Sequence, residues 1–103
     1  MTQQTIHGIL TLITPQTIEE DIVDFFLDSE HAQGFTSLHV RGHTSQHAGM
    51  SVIEQVTGRQ HQVQFQVLVS EAQAREICQR LGEQFDAGIM YWFSATSLHG
   101  RLG

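Results

Sequence analysis

From Gln62 to Val67 polar and apolar residues alternate strictly, with Gln62, Gln64 and Gln66 in one set and Val63, Phe65 and Val67, continued by Val69, in the other. A period of two over this length is a β-strand with one buried face. Ser70 follows at once and Gln73 comes three residues later, which is capping-box spacing. Ala74, Ile77, Cys78, Leu81 and Phe85 then recur at the helical period, up to a stop before Gly88. A half-buried strand running into an amphipathic helix needs a sheet, and a helix packed on one face of it, which confines the chain to architectures that layer helices on strands.

The remaining segments can be read in the same way. Ile6 to Ile13 is short, β-branched and apolar in both alternating sets, as in a central strand. Thr14-Pro15 ends it, because proline cannot continue a ladder and suits the start of a helix. Ile18, Ile22, Phe25 and Phe26 predict a helix over about residues 16–30, with Thr17 and Glu20 as its capping box. After Gly34, Phe35 to His43 alternates, with Leu38 and Val40 on one face and Phe35, His39, Arg41 and His43 on the other. Periodicity is lost over about residues 43–59, which read as a long polar loop. Ile89 to Ala95 is apolar on both sides, as a second central strand would be, and the tail from Thr96 carries no core signal.

Strand, helix, strand, strand, helix, strand is the α+β, ferredoxin-like βαββαβ order: a four-stranded antiparallel sheet with two helices on one face. Residues 1–103 make one domain. The other sheet face has no cover of its own, and with Phe35 and members of the sets containing Ile9, Ile13 and Trp92 on it, self-association is expected.

Eleven carboxylates stand against five arginines and no lysine, for a formal net charge of −6. Nucleic acid and anionic membrane surfaces both require clustered cations, so neither is expected as a partner. No apolar run approaches the ~18 residues of a membrane span and no stretch reads as a signal peptide. The single Cys78 has no internal disulfide partner and lies on an apolar helix stripe, so a buried thiol in a reducing, cytoplasmic setting is expected. Protonating all seven histidines would carry the charge from −6 to +1, so charge and association should respond to pH near ~6. No metalloprotease helix, nucleophile elbow or phosphate-binding Walker loop occurs, and the chain is expected not to be an enzyme.

This pattern resembles the PII-like superfamily, which includes the PII nitrogen-regulatory proteins and the CutA proteins, and it is most similar to the small bacterial branch. The carriers are the opening strand running into Thr14-Pro15 and an acidic helix, Gly34-Phe35-Thr36 leading to Val40-Arg41-Gly42, Gln46 just beyond, and Gln62 to Val69 resuming the sheet. The resemblance implies a homotrimer with ligand sites between subunits, and a loop at 43–59 that engages a transporter or another regulated protein. It places Gly42 and Gln46 where the family brings backbone and an amide to an adenine nucleotide. Thr44 and Ser45 replace the glycine and arginine expected before that glutamine. Gly82 to Gly88 lacks the family's phosphate-holding glycine and lysine pattern and carries Glu83 and Asp86 instead. Both departures speak against ATP.

Arg41, Arg59 and Arg101 are candidates for an anionic ligand, or for balancing an acidic surface. A CutA-like role in divalent-metal binding and heavy-metal tolerance or efflux is the alternative, with His43 and His47 as ligands for copper, zinc or nickel. His39 and His43 are ~13 Å apart along a strand, too far to share one ion. Loop and surface histidines are the plain reading of the same residues.

Overall fold

The computed structural model describes residues 5–29, 34–43 and 59–103. The elements are β1 (His7–Pro15), a single 3-10 turn (Gln16–Ile18), α1 (Glu19–Leu27), β2 (Phe35–His43), β3 (Arg59–Ser70), α2 (Glu71–Gln84) and β4 (Met90–Ala95). The four strands form one antiparallel sheet in the order β2-β3-β1-β4. This is the ferredoxin-like arrangement the sequence predicts. Among the described residues no helix is long and apolar enough to cross a membrane.

Register sorts the side chains into two faces. Leu10 stands opposite Val67 and Phe93, and Leu12 opposite Phe65 and Tyr91, on the face the helices cover. Leu10, Leu12, Val63, Phe65, Val67 and Val69 meet Ile22, Phe25 and Phe26 of α1 and Ala74, Ile77 and Leu81 of α2 in one buried cluster. Each large side chain fully removed from water there contributes ~1.5–3 kcal/mol. The Arg80 guanidinium lies 5.1 Å from the Phe25 ring centroid and ties α2 to α1.

Cap chemistry explains where the two helices begin. Ser70 Oγ accepts from the Gln73 amide at 3.1 Å, and the Gln73 side chain accepts from the Ser70 amide at 2.9 Å, so the predicted capping box is present. The box expected at Thr17 and Glu20 is not. Pro15 delivers the chain into a 3-10 turn that takes up Thr17, and α1 starts one turn later behind Ile18, which offers no side-chain cap. Glu19, Glu20 and Asp21 fill its first turn and complement the positive end of the helix dipole. The helix ends at Leu27, short of residue 30.

Two expectations about the sheet are corrected. β4 is an edge strand, not a central one, because β1 alone pairs with it. Phe35 lies on the helix side, its ring 5.1 Å from Phe26 and 6.3 Å from Phe65, rather than on the open face. The alternation read from the sequence of β2 is correct, but the faces are exchanged: Leu38 and Val40 point away from the helices. β3 pairs with β1 only as far as Gln62, opposite Pro15, while its ladder with β2 continues to Arg59 opposite His43, so this end of the β2–β3 ribbon projects past the sheet centre.

Candidate functional site

Two regions can bind something: the sheet face that no helix covers, and the projecting end of the β2–β3 ribbon. On the open face β1 presents Ile9 and Ile13, β4 presents Met90 and Trp92, and β2 presents Leu38 and Val40. Leu38 is 60% exposed, Met90 64% and Trp92 44%. Between these apolar stripes run Gln62, Gln64 and Gln66 of β3, followed by Leu68. Thr11, at the centre, is buried between its ladder neighbours Gln66 and Trp92, and its hydroxyl accepts from the Gln66 amide at 3.4 Å. The face is therefore apolar at both flanks with a band of amide donors and acceptors between them, a pattern that matches a second protein surface better than water.

At the ribbon end, His39, Arg41 and His43 share the helix-side face of β2, and His61 stands opposite Arg41 on β3. Arg59 occupies the ladder position opposite His43. His39 is held to Glu19 of α1, with Nε2 2.9 Å from each carboxylate oxygen. Gly42 falls on the open face, and the Gln62 side-chain amide occupies the space a Cβ there would need. Arg41, three imidazoles and the Arg59 ladder position thus lie at one end of a chain whose net charge is −6.

Arg41 and His43 share one face at this end, with the Arg59 ladder position opposite His43, whereas Gly42 between them belongs to the other face. The structure does not bring Arg101 to them. The tail leaves β4 beside the start of β1, where His7 pairs with Ser70, and Ser70 lies at the opposite end of β3 from Arg59, about 36 Å away along the strand. Only another copy can add Arg101 to the ribbon end. Gln46 and His47 lie outside the described residues. Among the described residues no three His, Cys, Asp or Glu side chains converge as metal ligands.

A half-open groove of about 420 Å³ lies between α2 and β4, floored by Leu10, Ala74, Cys78, Tyr91 and Phe93, with Glu71, Arg75 and Gln79 at its rim. Arg75 is paired with Glu71 at 3.0 Å. Burial pushes the Cys78 thiol above its ordinary pKa. The thiol is half-buried, packed against the core at the groove floor rather than inside it as the sequence predicts, and its raised pKa makes it a poor nucleophile. The sequence does not announce this groove, because a strand apolar on both sides, such as β4, reads as a covered central strand. Nor does it announce a contact between His7 and His99, whose rings lie 4.9 Å apart.

The model of a family described as "Protein of unknown function (DUF3240)" matches residues 2–103. No curated protein matches the chain. Among solved structures, a DUF3240 family protein from Shewanella baltica is 21% identical with a TM-score of 0.75, covering 94% of this chain and 97% of that one. A protein from Thermus thermophilus, proposed to be a PII-like signalling protein, is 20% identical with a TM-score of 0.63, covering 91% of each chain. CPII, a nitrogen regulatory PII-like protein from Thiomonas intermedia seen bound to ADP, AMP and bicarbonate, is 16% identical with a TM-score of 0.53, covering 93% of this chain and 97% of its own. At these identities the likeness is one of fold, and the fold is PII-like.

Proposed function

The chain belongs to the DUF3240 family, and from that membership and its PII-like fold we propose that it is the subunit of a homotrimeric regulatory protein. In this reading it binds a small anionic effector in the clefts between subunits and reports it to another protein through the loop at about residues 43–59. It is a binding protein and not an enzyme.

The observation that carries the proposal is the open sheet face. A soluble monomer rarely leaves a contiguous patch of Ile9, Ile13, Leu38, Val40, Met90 and Trp92 in water. Closing three such faces around an axis removes it and creates clefts at the sheet margins. Arg41 and the Arg59 position then lie at the base of the loop, where an anion can order it, and ordering a loop changes its affinity for a partner. Arg101 of a neighbouring copy is the third cation of the cleft. CPII binds adenine nucleotides and bicarbonate, which makes these the first anions to try. Glu83, in the last turn of α2, and Asp86, just beyond it, disfavour a triphosphate, so AMP or bicarbonate is favoured here over ATP.

Light scattering on the untagged protein tests the assembly, and calorimetry with AMP, ADP, ATP and bicarbonate tests the effector. A trimer whose anion binding weakens in Arg41→Ala supports the proposal. A monomeric mass removes the clefts and overturns it.

A further inference from the structure

We propose that His7 and His99 form a binding site for a divalent transition-metal cation that prefers nitrogen ligands, namely Cu²⁺, Ni²⁺ or Zn²⁺. The two imidazoles come from opposite ends of the described chain, with ring centroids 4.9 Å apart and planes inclined at 40°. Imidazole nitrogens coordinate such ions at ~2.0–2.1 Å, and two rings meeting at one ion at tetrahedral or square angles have centroids roughly 4.5–5.2 Å apart. The observed separation falls inside that interval.

The pairing is built into the fold. The backbone carbonyl of His7 accepts from the Thr96 amide at 2.9 Å and from the Thr96 hydroxyl at 3.3 Å. That double contact fixes the start of the tail against β1, three residues before His99. The His7 position is fixed in turn by the β1–β3 ladder, opposite Ser70. Folding therefore supplies the proximity of the two backbone segments before any ion binds. His99 is exposed and His7 partly so, which leaves room for water or an anion in the remaining coordination positions. Imidazole suits copper, nickel and zinc, whereas magnesium and calcium require oxygen ligands, so the site discriminates against the abundant hard cations. A bound ion would clip the tail to β1. The site lies within one chain, and His7 shares the open face with Ile9 and Ile13 at the end of β1.

The test is calorimetry on the untagged full chain with Zn²⁺, Ni²⁺ and Cu²⁺, with Mg²⁺ as control, on the wild type, His99→Ala, His7→Gln and a His43→Ala, His47→Ala double variant. The expected result is one ion per chain for the transition metals and none for Mg²⁺. Affinity should fall by roughly tenfold or more in either His7→Gln or His99→Ala and stay unchanged in the double variant. Electron paramagnetic resonance of the Cu²⁺ form should show two equivalent imidazole nitrogens, reduced to one in His99→Ala. His99 lies outside every helix and strand, so its replacement leaves the fold intact and a loss of binding there cannot come from unfolding. Absence of transition-metal binding overturns the proposal, as does binding that survives His99→Ala or depends on His43 and His47.

Discussion

His39 Nε2 is 2.9 Å from both carboxylate oxygens of Glu19, so the first residue of α1 is fastened to edge strand β2. The His39 side chain is 62% exposed and that of Glu19 28%. A surface pair of this kind is worth ~0–1 kcal/mol and is screened by salt. His39→Ala and Glu19→Gln should each lower the unfolding free energy by less than about 1 kcal/mol. The coupling energy from their double-mutant cycle should shrink between low and high salt in urea titrations. A loss above about 2 kcal/mol would mean that the pair does more than fasten a surface.

Substitutions on the two sheet faces should fail in different ways. Phe26→Ala empties a fully buried position against Phe35 and Phe65 and should cost ~3–5 kcal/mol in denaturant unfolding. Trp92→Glu and Leu38→Glu alter side chains that a lone subunit leaves in water. They should leave the circular dichroism spectrum intact and convert the proposed trimer to single subunits in sedimentation velocity runs. A Trp92→Glu protein that keeps the wild-type mass would remove the open face from the interface.

Gly8 and Gly82 should respond in opposite directions to alanine. A Cβ on Gly8 would strike the backbone carbonyl of Ser94, the Phe93 ring at 2.7 Å and Ala95 Cα at 2.9 Å, so β4 must move away from β1 to admit it. Gly82, inside α2, has nothing within 4 Å of its Cβ position. Gly82→Ala should therefore stabilise by ~0.5–1 kcal/mol through helix propensity and reduced unfolded-state entropy. Gly8→Ala should destabilise, with loss of amide protection along Met90–Ala95 as the specific readout.

The Cys78 thiol sits above its ordinary pKa because burial disfavours the thiolate. In the folded protein it should react with iodoacetamide more slowly than a model thiol at pH 8, and denaturant should restore the ordinary rate. Between the unfolded and folded pKa the unfolded chain holds fewer protons, so this group's contribution to stability is complete below the unfolded value and declines as pH rises through the folded one. Cys78→Ala should flatten that alkaline decline. An unchanged alkaline slope in Cys78→Ala would assign the decline to other groups.

Local period made most of the fold legible. The strict alternation of β3, the Ser70–Gln73 box and the apolar stripe of α2 each depend on neighbours only a few residues away, and each stands as read. The faces of β2 could not be assigned in this way. Counting apolar residues favoured Leu38 and Val40 inside, but the aromatic contacts of Phe35 with Phe26 and Phe65 place Phe35 there instead, and such contacts add ~0.5–1.5 kcal/mol per pair beyond burial. A strand apolar on both sides, such as β4, reads the same whether its flanks are covered by neighbouring strands or by another molecule. At the candidate site, the shared face of Arg41 and His43 follows from strand alternation. The approach of His99 to His7 follows only from β1–β4 pairing, which no local pattern announces.

That same pairing orders events during synthesis. The ladder joins Gly8 to Ala95 and Ile13 to Met90, with nearly the whole chain between them. As the chain leaves the ribosome from its N-terminus, β1, α1, β2, β3 and α2 are all available before β4 exists. Until β4 arrives, one edge of β1 is unpaired, and the open face lacks Met90 and Trp92. That apolar surface is thus completed last, when Met90 and Trp92 take their places beside Ile13 and Thr11.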